Sequence, residues 1–197
     1  MKTKLFQTTL LIASLGALSA TAFAADAGSA NGWSVSANVE SAGAASNATD
    51  GTADAGRSTS LGLQARYDWS LTPTFSVGAG LGYSTGNHQA GTYANGTAAT
   101  ASGRYSLDVV PAYALNKDLQ VFGKVSALYA NVASNDGSSN AAAQGVGYGI
   151  GLRQMLDRNV YWQAGYDLNR YQDVTFSTGT SSSVQENVFS LGVGYKF

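Results

Sequence analysis

Few side chains in this sequence could do covalent chemistry. The chain has 197 residues, no Cys and a single His, His88, set in Gly86-Asn87-His88-Gln89. A serine nucleophile needs a base to take its proton, and the serine nearest that histidine on its N-terminal side is Ser84. A lone histidine in a polar segment is first of all a solvated surface residue, so no catalytic residue is assigned and the chain is read as non-enzymatic. Metal binding is weaker still. Calcium loops need a dense series of carboxylates around a glycine, whereas the carboxylates here are scattered and Asn135-Asp136-Gly137 reads as a turn. No metal ligand and no cofactor site is expected.

The charged residues point to something other than catalysis. Eleven Lys and Arg stand against twelve Asp and Glu, a formal net charge of -1, with no basic stripe of the kind that neutralises phosphates. Nucleic acid is therefore not an expected partner. Ten of the charges, Glu40, Arg66, Asp68, Arg104, Asp108, Lys124, Arg153, Asp167, Glu186 and Lys196, fall singly among Gly and Ser at every second position of otherwise apolar segments. Five are bases and five are acids, the composition of a narrow interior where a few ions pair and water fills the rest. Neighbouring segments suggest Arg66 or Arg104 with Asp108, and Lys124 with Asp108 or Glu40.

The elements that position these charges are read from period-two alternation, which marks strands with two unlike faces. Eight such segments occur: Trp33 to Glu40, Thr59 to Trp69, Phe75 to Tyr83, Arg104 to Leu115, Leu119 to Tyr129, Val146 to Arg153, Val160 to Leu168 and Phe189 to Phe197. Their apolar faces carry residues such as Val35, Leu61, Leu81, Val109, Val125, Ile150, Ala164 and Leu191. Short turns at Ser70-Leu71-Thr72-Pro73, Asn116-Lys117-Asp118 and Asp157-Arg158-Asn159 alternate with long polar stretches near 41–57, 86–101, 132–143 and 172–184. Short and long connections in alternation are the signature of an up-and-down transmembrane barrel.

The N-terminus agrees with export. Lys2 and Lys4 precede the apolar run Leu10 to Leu18, and Ala22-Phe23-Ala24 supplies a small-x-small cleavage pattern, so 1–24 is expected to be a signal peptide and 25–197 the mature barrel domain. The run is shorter than the roughly 20 residues a spanning helix needs. Trp33, Trp69, Phe75, Tyr113, Trp162 and Phe197 cluster near the short turns, and Tyr83, Tyr105 and Tyr129 near the long connections. Two aromatic girdles on the lipid face would be placed in this way.

The ending Phe189-Ser190-Leu191-Gly192-Val193-Gly194-Tyr195-Lys196-Phe197 resembles the closing strand of bacterial outer membrane proteins. Phe189, Leu191, Val193, Tyr195 and Phe197 match the alternating apolar and terminal aromatic positions that the barrel assembly machinery reads in such proteins. The chain from residue 25 onward is similar to the small barrels of the OmpA and OmpX type. That resemblance implies an all-β, eight-stranded antiparallel up-and-down transmembrane β-barrel in the outer membrane of a Gram-negative bacterium, with outer membrane lipids and the assembly machinery as partners. It does not fix an activity. The expected role is envelope structure or surface interaction through external loops, where Arg57, Tyr93, Arg170 and Phe176 offer anchors for an external ligand. A narrow small-solute or ion channel is the alternative, and a lipid-modifying enzyme comes third.

Overall fold

The computed structural model describes residues 31–48, 51–92, 98–134, 141–172, 174–175 and 181–197. The expected signal peptide lies outside them, as do Tyr93, Phe176 and the Asn135 turn. The strands are β1 (Gly32–Ala48), β2 (Gly51–Ser70), β3 (Phe75–Thr92), β4 (Ala98–Ala114), β5 (Leu119–Ser134), β6 (Ala141–Met155), β7 (Val160–Tyr171), the two-residue β8 (Val174–Thr175) and β9 (Ser181–Lys196). The eight long ones pair antiparallel with their sequence neighbours, and β9 pairs with both β7 and β1, so the sheet closes on itself. Closure removes the two open edges and lets every strand pair its N–H and C=O groups, the condition for backbone immersed in lipid. The chain is an eight-stranded, all-antiparallel up-and-down β-barrel.

Alternation sorts the side chains as the sequence suggests, with the polarity of a water-soluble fold inverted. Leu81 is 64% exposed and Ile150 62%, alongside Leu61, Leu107, Val109, Leu191 and Val193, whereas Arg66, Asp68, Arg104, Asp108 and Arg153 are buried. Such an apolar belt is stable against lipid and a liability in water. Aromatic rings border it. Near the turns Trp33, Tyr67 and Trp69 stack edge to face at 5.4 and 4.9 Å, and near the opposite rim Tyr83 and Tyr105 approach to 4.9 Å.

The turn rim is built three times on one plan. Leu71 and Thr72 donate their N–H groups to the Phe75 carbonyl, Leu115 and Asn116 to that of Leu119, and Leu156 and Asp157 to that of Val160. The second residue of each turn adds a side-chain acceptor. Thr72 Oγ1 accepts from the amides of Thr74 and Phe75, Asn116 Oδ1 from those of Asp118 and Leu119, and Asp157 Oδ1 from that of Arg158. Side-chain oxygens that mimic a backbone turn are why Thr, Asn and Asp stand there.

The opposite rim corrects the sequence reading. The stretches expected to be long loops at 41–57, 86–101 and 132–143 are largely strand: Ala45 to Ala48 pair with Asp54 to Gly51, β3 and β4 stay paired to Thr92 and Ala98, and β5 and β6 to Val132 and Ala141. Part of 172–184 likewise lies in β8 and β9. Main-chain pairing needs no apolar face. In these stretches Gly, Ser, Thr and Ala prolong the ladders without leaving an alternation to read. The passage is marked by register shifts at Gly43/Ala45, Ser84/Asn87 and Ser102/Tyr105. At the last of these Gly103 takes φ 58°, the left-handed conformation a bulge residue adopts most easily as glycine.

Candidate functional site

The lumen is made from the inward positions of all eight long strands, and its shape follows from what faces each inward glycine. A Cβ on Gly149 would overlap Asp167, its partner across β6 and β7; one on Gly151 would overlap Phe122; one on Gly192, Asn38; one on Gly194, Tyr161; and one on Gly62, the carboxylate of Glu40. The bare glycine face seen in the sequence is thus the space over which neighbouring side chains lean.

Towards the hairpin rim the leaning groups are polar. Arg104 Nη2 lies 2.9 Å from Glu40 Oε2 and 3.0 Å from Ser84 Oγ, while Nη1 pairs with Glu186 Oε2. Ser84 Oγ donates to Glu40 at 2.6 Å, Ser60 reaches the same carboxylate at 3.3 Å, and Asn169 Nδ2 donates to Glu186 at 3.3 Å. Lys124 Nζ reaches Asp167 Oδ2 at 2.7 Å, spanning the gap left by Gly149 between their strands. Charge-assisted bonds of this kind are short and strong. Among them lies a cavity of about 90 Å³ lined by Glu40, Gln64, Ser106, Asp108, Lys124 and Asp167 with others, room enough for several water molecules.

Towards the turn rim the leaning groups are large. Arg66 Nε pairs with Asp68 at 2.9 Å, and Arg153 Nη1 lies 3.6 Å from the same carboxylate. The Arg153 guanidinium covers the Tyr161 ring at 4.4 Å and the Phe122 ring at 5.7 Å, within the range of cation–π attraction. Its Nη2 donates to Gln163 Oε1 at 2.9 Å, and Gln163 Nε2 donates to Asn38 Oδ1 at 2.9 Å. A second cavity of about 50 Å³ lies on the turn side, lined by Asp68, Arg153, Tyr161 and Lys196 among others.

The ten charges singled out in the sequence therefore all belong to the lumen, but the partners differ from those suggested. Asp108 enters no ion pair among the described residues; its Oδ2 accepts instead from Gln64 Nε2 at 2.9 Å and Ser106 Oγ at 3.2 Å. Arg66 goes to Asp68, Arg104 to Glu40 and Glu186, and Lys124 to Asp167. Lys124 reaches over Gly149 to a carboxylate two strands away, Arg66 pairs within its own strand, and Arg104 on β4 crosses the lumen to β1 and β9. Sequence reasoning also missed Phe122, Val110 and Tyr161 as lumen residues, although their parity with Lys124, Asp108 and Asp167 marks the inward face.

The remaining candidates sit elsewhere. His88 pairs with Ala101 in the β3–β4 ladder, beyond the bulge that separates it from Ser84, and the Ser84 hydroxyl is engaged by Glu40, Arg104 and Ser60. Arg57 and Arg170 are exposed near the hairpin rim. Phe189, Leu191, Val193 and Tyr195 line the outward face of β9, and the Tyr195 and Phe197 rings meet edge to face at 5.1 Å.

With this geometry the barrel matches a known family. Residues 10–197 fit the outer membrane protein beta-barrel domain, and the chain belongs to that family; it is a protein of the bacterial outer membrane. No curated protein matched it in sequence. Similar solved structures include Ail, the attachment invasion locus protein of Yersinia pestis, in complex with the heparin analogue sucrose octasulfate, at 18% identity over 84% of this chain and 99% of that one, with a TM-score of 0.52. OprG of Pseudomonas aeruginosa is similar at 16% identity, 87% and 98% coverage and a TM-score of 0.52. Neisserial surface protein A follows at 19% identity, 84% and 97% coverage and a TM-score of 0.50. Likeness at these identities concerns the fold.

Proposed function

We propose that this protein is a non-enzymatic integral barrel of the outer membrane that acts through its hairpin rim, in envelope structure or in surface interaction. The observation that carries this reading is the length of the hairpins. β2 has 20 residues and β3 has 18, against about 9 to 11 needed to cross a bilayer. The surplus prolongs rigid paired strands beyond the apolar belt, on the side that would face the exterior. Recognition is commonly placed on segments held out by such a scaffold. In this reading the chain is exported by cleavage after Ala24 and assembled through Phe189, Leu191, Val193, Tyr195 and Phe197.

The test is surface binding by cells that express the protein. Ail was solved with a heparin analogue, so immobilised heparin is a rational first probe beside an uncharged surface. Shortening the β1–β2 or β3–β4 hairpin beyond the belt is expected to abolish binding while the purified barrel still shows heat-modifiable gel mobility. Binding that survives both deletions would remove the interaction role. External protease on whole cells should cut only at the hairpin rim; cuts at the turns would reverse the orientation.

A narrow channel is the second reading, favoured by the 90 Å³ and 50 Å³ cavities on either side of Phe122, Tyr161 and Arg153. Planar-bilayer recording separates the two, since the occluded lumen described above is expected to pass no steady current.

A further inference from the structure

We propose that Asp108 and the hydroxyls beside it seat a monovalent inorganic cation inside the barrel. Asp108 is 1% exposed and lines the larger cavity. Its Oδ2 takes the two neutral donors already described, and no donor among the described residues reaches Oδ1. A carboxylate removed from bulk water and given only neutral partners is costly unless positive charge compensates it. The nearby lumen cations are committed to other carboxylates: Lys124 to Asp167, Arg66 to Asp68, and Arg104 to Glu40 and Glu186.

The surroundings suit an ion. Gly80, across from Asp108 on β3, and the next inward residue Gly82 contribute no side chain, Arg66 and Ser106 lean over them, and the carboxylate borders the larger cavity. Ser106 and Gln64 already lie at the carboxylate, and Ser126 stands directly across on β5, itself buried. These groups and cavity water offer the neutral oxygen atoms that a hard cation takes as ligands. Asp108 is the carboxylate at this end with no ion pair among the described residues, and a monovalent ion matches its single charge. Among the described residues no group of three His, Cys, Asp or Glu could hold a metal ion, which disfavours a divalent cation needing several carboxylates.

The protein, purified from outer membranes into a nonionic detergent, would be unfolded in urea and followed by the fluorescence of Trp33, Trp69 and Trp162. Sodium chloride, potassium chloride and N-methylglucamine chloride at equal ionic strength supply two ions small enough to enter and one too large. A cation bound only by the folded state raises stability with its concentration, so the wild-type midpoint is expected to climb with sodium or potassium and to stay flat with N-methylglucamine. Asp108→Asn is expected to be flat in all three salts, whereas Asp118→Asn, at an exposed turn, keeps the sodium response. Sodium-23 linewidths give a readout on folded protein: broadening by the wild type, reversed by potassium and lost in Asp108→Asn. Equal wild-type midpoints in the three salts, or a sodium response and line broadening that survive Asp108→Asn, would overturn the site. A salt-independent midpoint that varies only with pH would do the same, by assigning the compensating charge to a proton on the carboxylate.

Discussion

The two ends of the lumen share one wall and one alternation of inward and outward residues, yet one is narrowed to a cavity of about 50 Å³ and the other keeps a chamber of about 90 Å³. At the turn end, rings lean over glycines: Tyr161 over Gly194 and Phe122 over Gly151, with Arg153 laid across both. At the hairpin end, carboxylates lean over them: Asp167 over Gly149 and Glu40 over Gly62. An eight-stranded barrel is just wide enough for side chains to fill. Rings over Gly194 and Gly151 therefore fill their section, whereas carboxylates over Gly149 and Gly62 leave room for water. Charge divides the same way, with Arg66, Arg153 and Lys196 beside Asp68 at the turn end, and Glu40, Asp108, Asp167 and Glu186 beside Arg104 and Lys124 at the other.

The sharpest way to break this contrast is to empty the narrowed end. Tyr161→Ala removes a ring that is 2% exposed and leaves Arg153 without its closer aromatic partner. The expected loss is about 3 to 5 kcal/mol in urea unfolding, as for other buried aromatic truncations. Because the two cavities would then join, brief conductance steps should also appear in planar bilayers where the wild type shows none. A stable variant that stays silent would show that Tyr161 does not separate them.

Next in size is a test of the face assignment on which both ends depend. Val109→Arg, on the lipid face near the middle of β4, should cost about 2 to 4 kcal/mol of barrel stability. Ser106→Arg, which enters the cavity, should cost less, since water and the Glu40, Asp108 and Asp167 carboxylates can receive the charge. Equal losses would mean that the lumen tolerates a cation no better than lipid does.

Much of this organisation was legible in the sequence because alternation is a one-dimensional signal. It marked the apolar belt, the turns and the closing strand, and nine of the ten charges singled out lie in its alternating segments, Glu186 being the exception. The ion pairs were not legible, for a physical reason. Lys124 meets Asp167 across Gly149, and that row exists only once the β5–β6 and β6–β7 registers are set. The hairpin extensions were hidden because stretches of Gly, Ser, Thr and Ala carry no alternation, and Gly86 reads as a loop residue and Gly103 as part of no strand although both sit at bulges in continuing strands. Tyr161 could have been found, since it shares the parity of Gln163 and Asp167; an aromatic residue on a polar face is a plug candidate when the opposing strand offers glycine.

The smallest effects compare the open end with the rim. Arg104→Ala leaves Glu40 and Glu186 facing each other without their shared cation, and unpaired buried charges are strongly destabilising. Here the chamber can admit water to both carboxylates, so the expected loss is about 1 to 3 kcal/mol, less than for Tyr161→Ala, and it should shrink at high salt. Lys117→Ala removes the turn pair with Asp118, 3.6 Å apart with the lysine side chain 90% exposed, and should change stability by no more than about 0.5 kcal/mol. Urea midpoints for both variants at low and high salt check the ordering. If Arg104→Ala proved as mild as Lys117→Ala, the hairpin-end network would be as solvated as the surface, and the difference between the two ends of the lumen would lie wholly in the rings.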